Sequence, residues 1–283
     1  MNALLLFTII LASTIQNVCK KAYNQKSANK GTFTFTALIT LSAAVFFACS
    51  SGGALTFQLN LLSWSAGFAL AYGLSTVFTF LAISCGSLAL TSLVLSYSLI
   101  LPTLFGILFL GEPVSPWLLG GVILLLLSLL LINLNSDKIR ITLRWSVCLL
   151  IAFVGSGFCS ITQTMQQNHF DGGYKSEFMI LALLLFSITM ILLALFTECR
   201  DLSFCVKKGV LPGILCGVAN GVVNLLVMVL TTRMSVSILF PIISAGGIVA
   251  TAAVSLLVYK ESLSKTQFVG VVLGIGAIVL LSI

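Results

Sequence analysis

Residues 122–132 read Val-Ile-Leu-Leu-Leu-Leu-Ser-Leu-Leu-Leu-Ile, aliphatic at every position but one. A strand of a membrane barrel alternates apolar and polar residues, and a surface helix of a soluble protein keeps a polar face; this run does neither. It reads as an α-helix with apolar surroundings on all sides. Outward from it, the interval from Gly31 to Gly111 contains no Asp, Glu, Lys or Arg. A helix of about 20 apolar residues crosses the ~30 Å hydrocarbon core of a bilayer, so that interval has room for three spans.

Composition agrees with this reading. Of 283 residues, 59% are hydrophobic and 7% charged, whereas a soluble domain carries roughly 25% charged residues to cover its surface. A water-soluble fold is excluded. The net charge is +7, but the 14 basic residues lie mainly in short connections between apolar segments. They read as topology signals, so the expected partner is the lipid bilayer and no nucleic acid. The eight cysteines fall mostly inside apolar segments without zinc or redox spacing, and read as small core residues. Ala3 to Val18 is read as a retained first helix, because no positive charge precedes it and Lys20-Lys21 follows.

Charge-free stretches predict helices near 3–19, 32–50, 61–83, 88–110 and 116–134, then near 145–167, 178–198, 210–232, 236–259 and 265–283. The fold class is all-α, an integral membrane protein of about ten spans. Connections such as Ser84 to Ser87 and Arg233 to Ser235 are little more than turns, so neighbouring spans pack as antiparallel hairpins. The polar connection from Asn133 to Arg144 divides the chain into five-helix halves, 1–134 and 145–283.

The halves resemble each other. A shift of 149 residues places Glu112, Ser115, Gly121, Val122 and Leu124 on Glu261, Ser264, Gly270, Val271 and Leu273; a shift of 147 places Ser13 and Gln16 on Ser160 and Gln163. Because each half has an odd number of spans, the second enters the membrane from the opposite side. An inverted repeat of this kind is a transporter's pattern.

The segment from Leu99 through Pro102 to Gly111-Glu112, with Ser115 and Gly120-Gly121 after it, resembles the end of a repeat in the EamA-like branch of the drug/metabolite transporter superfamily. The second copy, from Pro241 through Glu261 to Gly270 and Gly274, is similar. The resemblance implies two EamA-like five-helix repeats around a cavity lined largely by helices 1, 3, 4, 6, 8 and 9, moving metabolites by alternating access. One departure is that Pro102 precedes Glu112 by ten residues whereas Pro241 precedes Glu261 by twenty, so the two helix bends need not match.

Polar side chains in apolar helices are costly unless they face the bundle interior, which makes them the substrate-cavity candidates. Asn220 and Asn224 are four apart, on one face of helix 8; helix 3 offers Tyr72, Ser75, Thr76 and Thr79 as an opposite wall. Helix 4 adds Ser96 and Tyr97 near Pro102, helix 9 adds Ser244 near Pro241, and helices 1 and 6 add Gln16, Asn17 and Gln163. Helix–helix hydrogen bonding is the even-handed alternative for any one of them. Glycines 213, 217 and 221 read as internal packing, and Trp64, Trp117 and Trp145 as an interfacial belt. Glu112 and Glu261 are expected to lie at span ends, near the capped start of the helix that follows each. His169 and Asp171 are placed in a solvated connection, with no metal role.

The expected function is transport of small organic molecules across a cell membrane, read here as a bacterial cytoplasmic membrane. Neutral or zwitterionic substrates such as amino acids suit a cavity without charge; amphipathic cations are the runner-up, and a membrane-embedded enzyme or scaffold the rival classes. No enzyme activity, catalytic residue, metal or cofactor is expected, and monomer and homodimer are both open. Twelve of the 14 basic residues fall on one side, which by the positive-inside rule puts both termini outside.

Overall fold

The computed structural model describes residues 2–27, 30–53, 55–85, 91, 94–133, 142–257 and 264–281. These form ten α-helices: α1 (Asn2–Ser27), α2 (Thr32–Ser50), α3 (Leu59–Cys85), α4 (Ile100–Phe109), α5 (Pro116–Asn133), α6 (Leu143–His169), α7 (Lys175–Thr197), α8 (Leu202–Thr231), α9 (Val236–Leu257) and α10 (Lys265–Leu281). No strand occurs among the described residues. Seven helices are long and apolar enough to cross a bilayer, and the apolar stretches Val94–Phe109, Pro116–Leu131 and Lys265–Leu281 are shorter. Glu261 and the 134–141 connection between the sequence halves lie outside the described residues.

The helix starts follow from local chemistry. Ser115 Oγ accepts the Leu118 N–H at 3.0 Å, with Pro116 in the first helical position of α5. At α10, Ser264 Oγ accepts the Gln267 N–H at 3.2 Å while Gln267 Oε1 accepts the Ser264 N–H at 3.0 Å, a reciprocal capping box. Two helices run further than hydropathy indicates. α1 continues through Lys20, Lys21 and Lys26 to Ser27, and α8 begins at Leu202, ahead of Lys207, Lys208 and Pro212. The charges mark where the chain leaves hydrocarbon, and a helix can continue in headgroups and water.

The described chain separates into two compact units, one of residues 3–70 with 165–232, the other of 71–164 with 233–283. Each draws on both sequence halves. In the first, α2 packs against α7 and α8. The α8 glycines make that contact close: a Cβ on Gly217 would stand 2.4 Å from Ser42 Cβ and 2.5 Å from the Ile39 carbonyl oxygen, and Gly213 and Gly221 face Leu38 and Phe46. The glycine stripe is therefore internal packing. Thr40 of α2 and Ser187 of α7 share a hydrogen bond of 2.8 Å.

In the second unit α5 packs on α10, and α9 on α4 and α10. Ser128 Oγ donates to the Gly270 carbonyl at 2.6 Å, and a Cβ on Gly121 would meet the Ala277 carbonyl oxygen at 3.4 Å. Adding 149 converts Ser128 into Ala277 and Gly121 into Gly270, so the α5–α10 contact is the same patch used twice, as in a two-fold dimer. Leu99, Leu125, Leu129, Ala245 and Ala277 form the core beside it. Trp145 is not part of an interfacial belt: it is buried, and its indole N–H donates to Thr91 Oγ1 at 3.1 Å. Trp117 is exposed, as a belt residue is. Not every cysteine is in the core, since Cys49 and Cys199 are exposed.

Candidate transport site

The first unit brings together three of the cavity candidates. Ile9, Ala12, Gln16, Cys19 and Tyr23 follow one another at spacings of three and four and form the buried face of α1. Across from it, Asn220 Nδ2 donates to Gln16 Oε1 at 3.3 Å. One turn along α8, Asn224 Nδ2 donates to Asn220 Oδ1 at 3.0 Å and to the Asn220 carbonyl at 2.8 Å. Cys216 Sγ contacts the Gln16 carbonyl oxygen at 3.9 Å. The result is a ladder of three uncharged amides, each able to donate and accept, with Gln16 and Asn220 buried.

Below the ladder the seam between α1 and α8 is closed by packing. Cys19, Tyr23, Phe35, Ile39 and Cys216 form one cluster. The Tyr23 ring stacks on Phe35 at 3.9 Å, and its hydroxyl donates to the carbonyls of Lys30 at 2.9 Å and Gly31 at 3.1 Å. Glu198 accepts the N–H groups of Phe33 and Thr34, both at 2.9 Å, and the Thr34 hydroxyl at 2.7 Å. A carboxylate on the first N–H groups of α2 meets both their unfilled donors and the positive end of the helix.

At the other end of this unit, Glu177 accepts the Thr56 N–H at 3.1 Å and Gln58 donates to the Tyr174 hydroxyl at 2.6 Å. His169 is not in a loop but is the last residue of α6, where its ring lies 5.6 Å from Trp64. Gln166 and Gln167 are buried near the end of that helix, and Gln163, one turn earlier and also buried, falls within the second unit. Gln167 Oε1 has no hydrogen-bond partner among the described residues. The spacing of three and four among these glutamines was a readable signal; reading Gln163 alone missed it.

The other candidates belong to the second unit, apart from Asn17, which is exposed on α1. Tyr72, Ser75 and Thr76 are half-buried on α3, as are Ser96 and Ser244. A Cβ on Gly155 would come within 2.8 Å of the Ala71 carbonyl oxygen and the Ser75 nitrogen, so α6 presses directly on α3 there. Tyr97 donates its hydroxyl to the Leu126 carbonyl at 3.0 Å, which ties α5 to the turn ahead of α4. Ser98 and Ser156, an unforeseen pair, bond at 2.9 Å. Pro102 follows a 3₁₀ turn, Tyr97–Leu99, whereas Pro241 lies within an uninterrupted α9. The missing N–H of Pro102 leaves the Ser98 carbonyl without its helical donor, and a tighter turn at that point is the local response.

Glu112 corrects the expectation most clearly. It serves a helix start, but not that of the helix after it: its two carboxylate oxygens accept the N–H groups of Val236 at 2.6 Å and Ser237 at 2.8 Å, at the start of α9. The chain reaches it by ending α4 with Gly111 in the left-handed region and an N–H of Glu112 on the Gly106 carbonyl at 3.2 Å. Glu112 and Glu198 each accept from two backbone N–H groups of the opposite sequence half, and Glu177 from one.

The EamA-like transporter family matches residues 143–283. No curated protein matches the chain. A solved structure described only as "Crystal structure of protein" is 16% identical, with 100% of this chain and 98% of that one covered and a TM-score of 0.76; at that identity the likeness bears on the fold alone.

Proposed function

Because the chain belongs to the EamA-like transporter family of the drug/metabolite transporter superfamily, through residues 143–283, we propose that this multi-pass membrane transporter carries small neutral or zwitterionic organic molecules and holds them at Gln16, Asn220 and Asn224. The observation behind this reading is the buried amide ladder. The three amides are joined to one another by two side-chain hydrogen bonds. A substrate with its own donors and acceptors can replace those bonds one for one, whereas an apolar one would leave them unmade at a cost of about 1–3 kcal/mol each. A substrate of net charge would have no opposite charge to meet at the amides.

Alternating access then opens the ladder to one side of the membrane at a time, driven by the substrate's own gradient. The described carboxylates support a mechanism without an obligatory proton, since Glu112, Glu177 and Glu198 hold backbone N–H groups near helix ends. None stands beside the amides to take up and release a proton as substrate comes and goes. The test is counterflow in proteoliposomes of the purified protein, screened across amino acids and other neutral solutes with pH gradient and membrane potential collapsed. Exchange of labelled for unlabelled substrate is expected; uptake that requires a proton gradient overturns the coupling, and accumulation of amphipathic cations instead overturns the substrate class.

A further inference from the structure

α1 and α8 are longer than a bilayer requires. At about 1.5 Å per residue they measure roughly 39 and 45 Å for 26 and 30 residues, against a hydrocarbon core of about 30 Å. The excess falls at one end of the first unit, where the end of α1 and the start of α8 meet: Lys30 pairs with Asp201 at 3.1 Å, and a Cβ on Gly209 would touch the Tyr23 ring at 3.2 Å. This overhang carries Lys20, Lys21, Lys26, Lys30, Arg200, Lys207 and Lys208, and all but the half-buried Lys21 are exposed.

The carboxylates that accompany them are already engaged. Glu198 takes three donors at the start of α2, and Asp201 takes Lys30. The end therefore presents several cations to the layer where lipid phosphates lie, on two helices whose register also sets the amide ladder: Lys20 is one turn beyond Gln16 on α1.

We propose that the overhang of α1 and α8 is a binding surface for anionic phospholipid headgroups, and that their binding holds these two helices together. The chemistry is that of a basic cluster next to a span: each Lys or Arg near an anionic surface strengthens attachment by about fivefold, and the effect fades as salt screens it. The proposal stands apart from the transport reading, since it concerns which lipid the protein selects.

The test uses the full-length protein in nanodiscs of phosphatidylcholine, with or without phosphatidylglycerol, followed by thermal unfolding. Phosphatidylglycerol should raise the unfolding midpoint, and salt should reduce the gain. Lys20→Gln with Lys21→Gln, or Lys207→Gln with Lys208→Gln, should each remove part of it, while Lys175→Gln at the opposite end keeps it whole. If the glutamine variants fold poorly, arginine at the same positions should retain the gain. Equal midpoints in the two lipids, a gain untouched by salt or by both lysine pairs, or the same gain from inorganic phosphate in phosphatidylcholine discs would each overturn it.

Discussion

Thr40 and Ser187 hydrogen-bond to each other across α2 and α7 at 2.8 Å, although 147 residues separate them. That separation equals the offset that places Gln16 on Gln163, the relation expected of counterparts in an inverted repeat, which can touch only where its two-fold axis passes between them. Both hydroxyls also have backbone acceptors, Thr36 and Ala37 for Thr40, and Leu183 for Ser187. Thr40→Val and Ser187→Ala should therefore each cost little, and a double-mutant cycle in mild detergent should return a coupling of about 0.6 kcal/mol.

Glu112 anchors the start of α9 through two N–H groups. Glu112→Gln keeps one acceptor and loses the charge, and should lower stability by about 1–3 kcal/mol. Gly106→Ala should act on the same bond from below, because a Cβ there would stand 2.5 Å from Glu112 Oε2. The two changes together should cost little more than either alone in unfolding measurements; additive losses would show that Gly106 matters for another reason.

For the amide ladder, Gln16→Leu and Asn220→Leu should each abolish counterflow while monodisperse yield stays near that of the parent. Normal transport by both variants would remove the ladder from the substrate path. Loss of folded protein in both would make it a packing device. Gly217→Ala is the contrasting case, expected to reduce folded yield, since its Cβ has no room against α2.

Orientation follows from charge. The end that holds Arg200, Lys207 and Lys208 is expected in the cytoplasm. In a cysteine-free background, a membrane-impermeant maleimide applied to intact cells should miss a single cysteine at Leu202 and reach one at Gly172. The opposite labelling would invert the assignment.

Much of this was readable in the chain. The ten helices and the serine caps of α5 and α10 follow from residue type and spacing, because each is local. Hydropathy could not have shown that α1 runs to Ser27 or that α8 starts at Leu202, since it measures the apolar thickness crossed and not the length of hydrogen-bonded helix. Nor does any local pattern pair Glu112 with Val236, which lies 124 residues away. The burial of Trp145 is of the same kind: an indole near a span end suits the headgroup layer equally well, and Thr91 as its acceptor is a tertiary fact. Gln16, Asn220 and Asn224 each stood out because amides are scarce in the spans, but the bond that joins α1 to α8, like that of Tyr97 to the Leu126 carbonyl on α5, is a tertiary fact.

The mixing of sequence halves within each compact unit has a consequence for biogenesis. α2 emerges from the ribosome well before α7 and α8, the helices that cover it, so its face of Leu38, Ser42 and Phe46 must wait in the bilayer until the glycines of α8 have been inserted. Residues 1–134 on their own should thus be a substrate for membrane proteases, and should survive when 135–283 is expressed alongside as a separate chain.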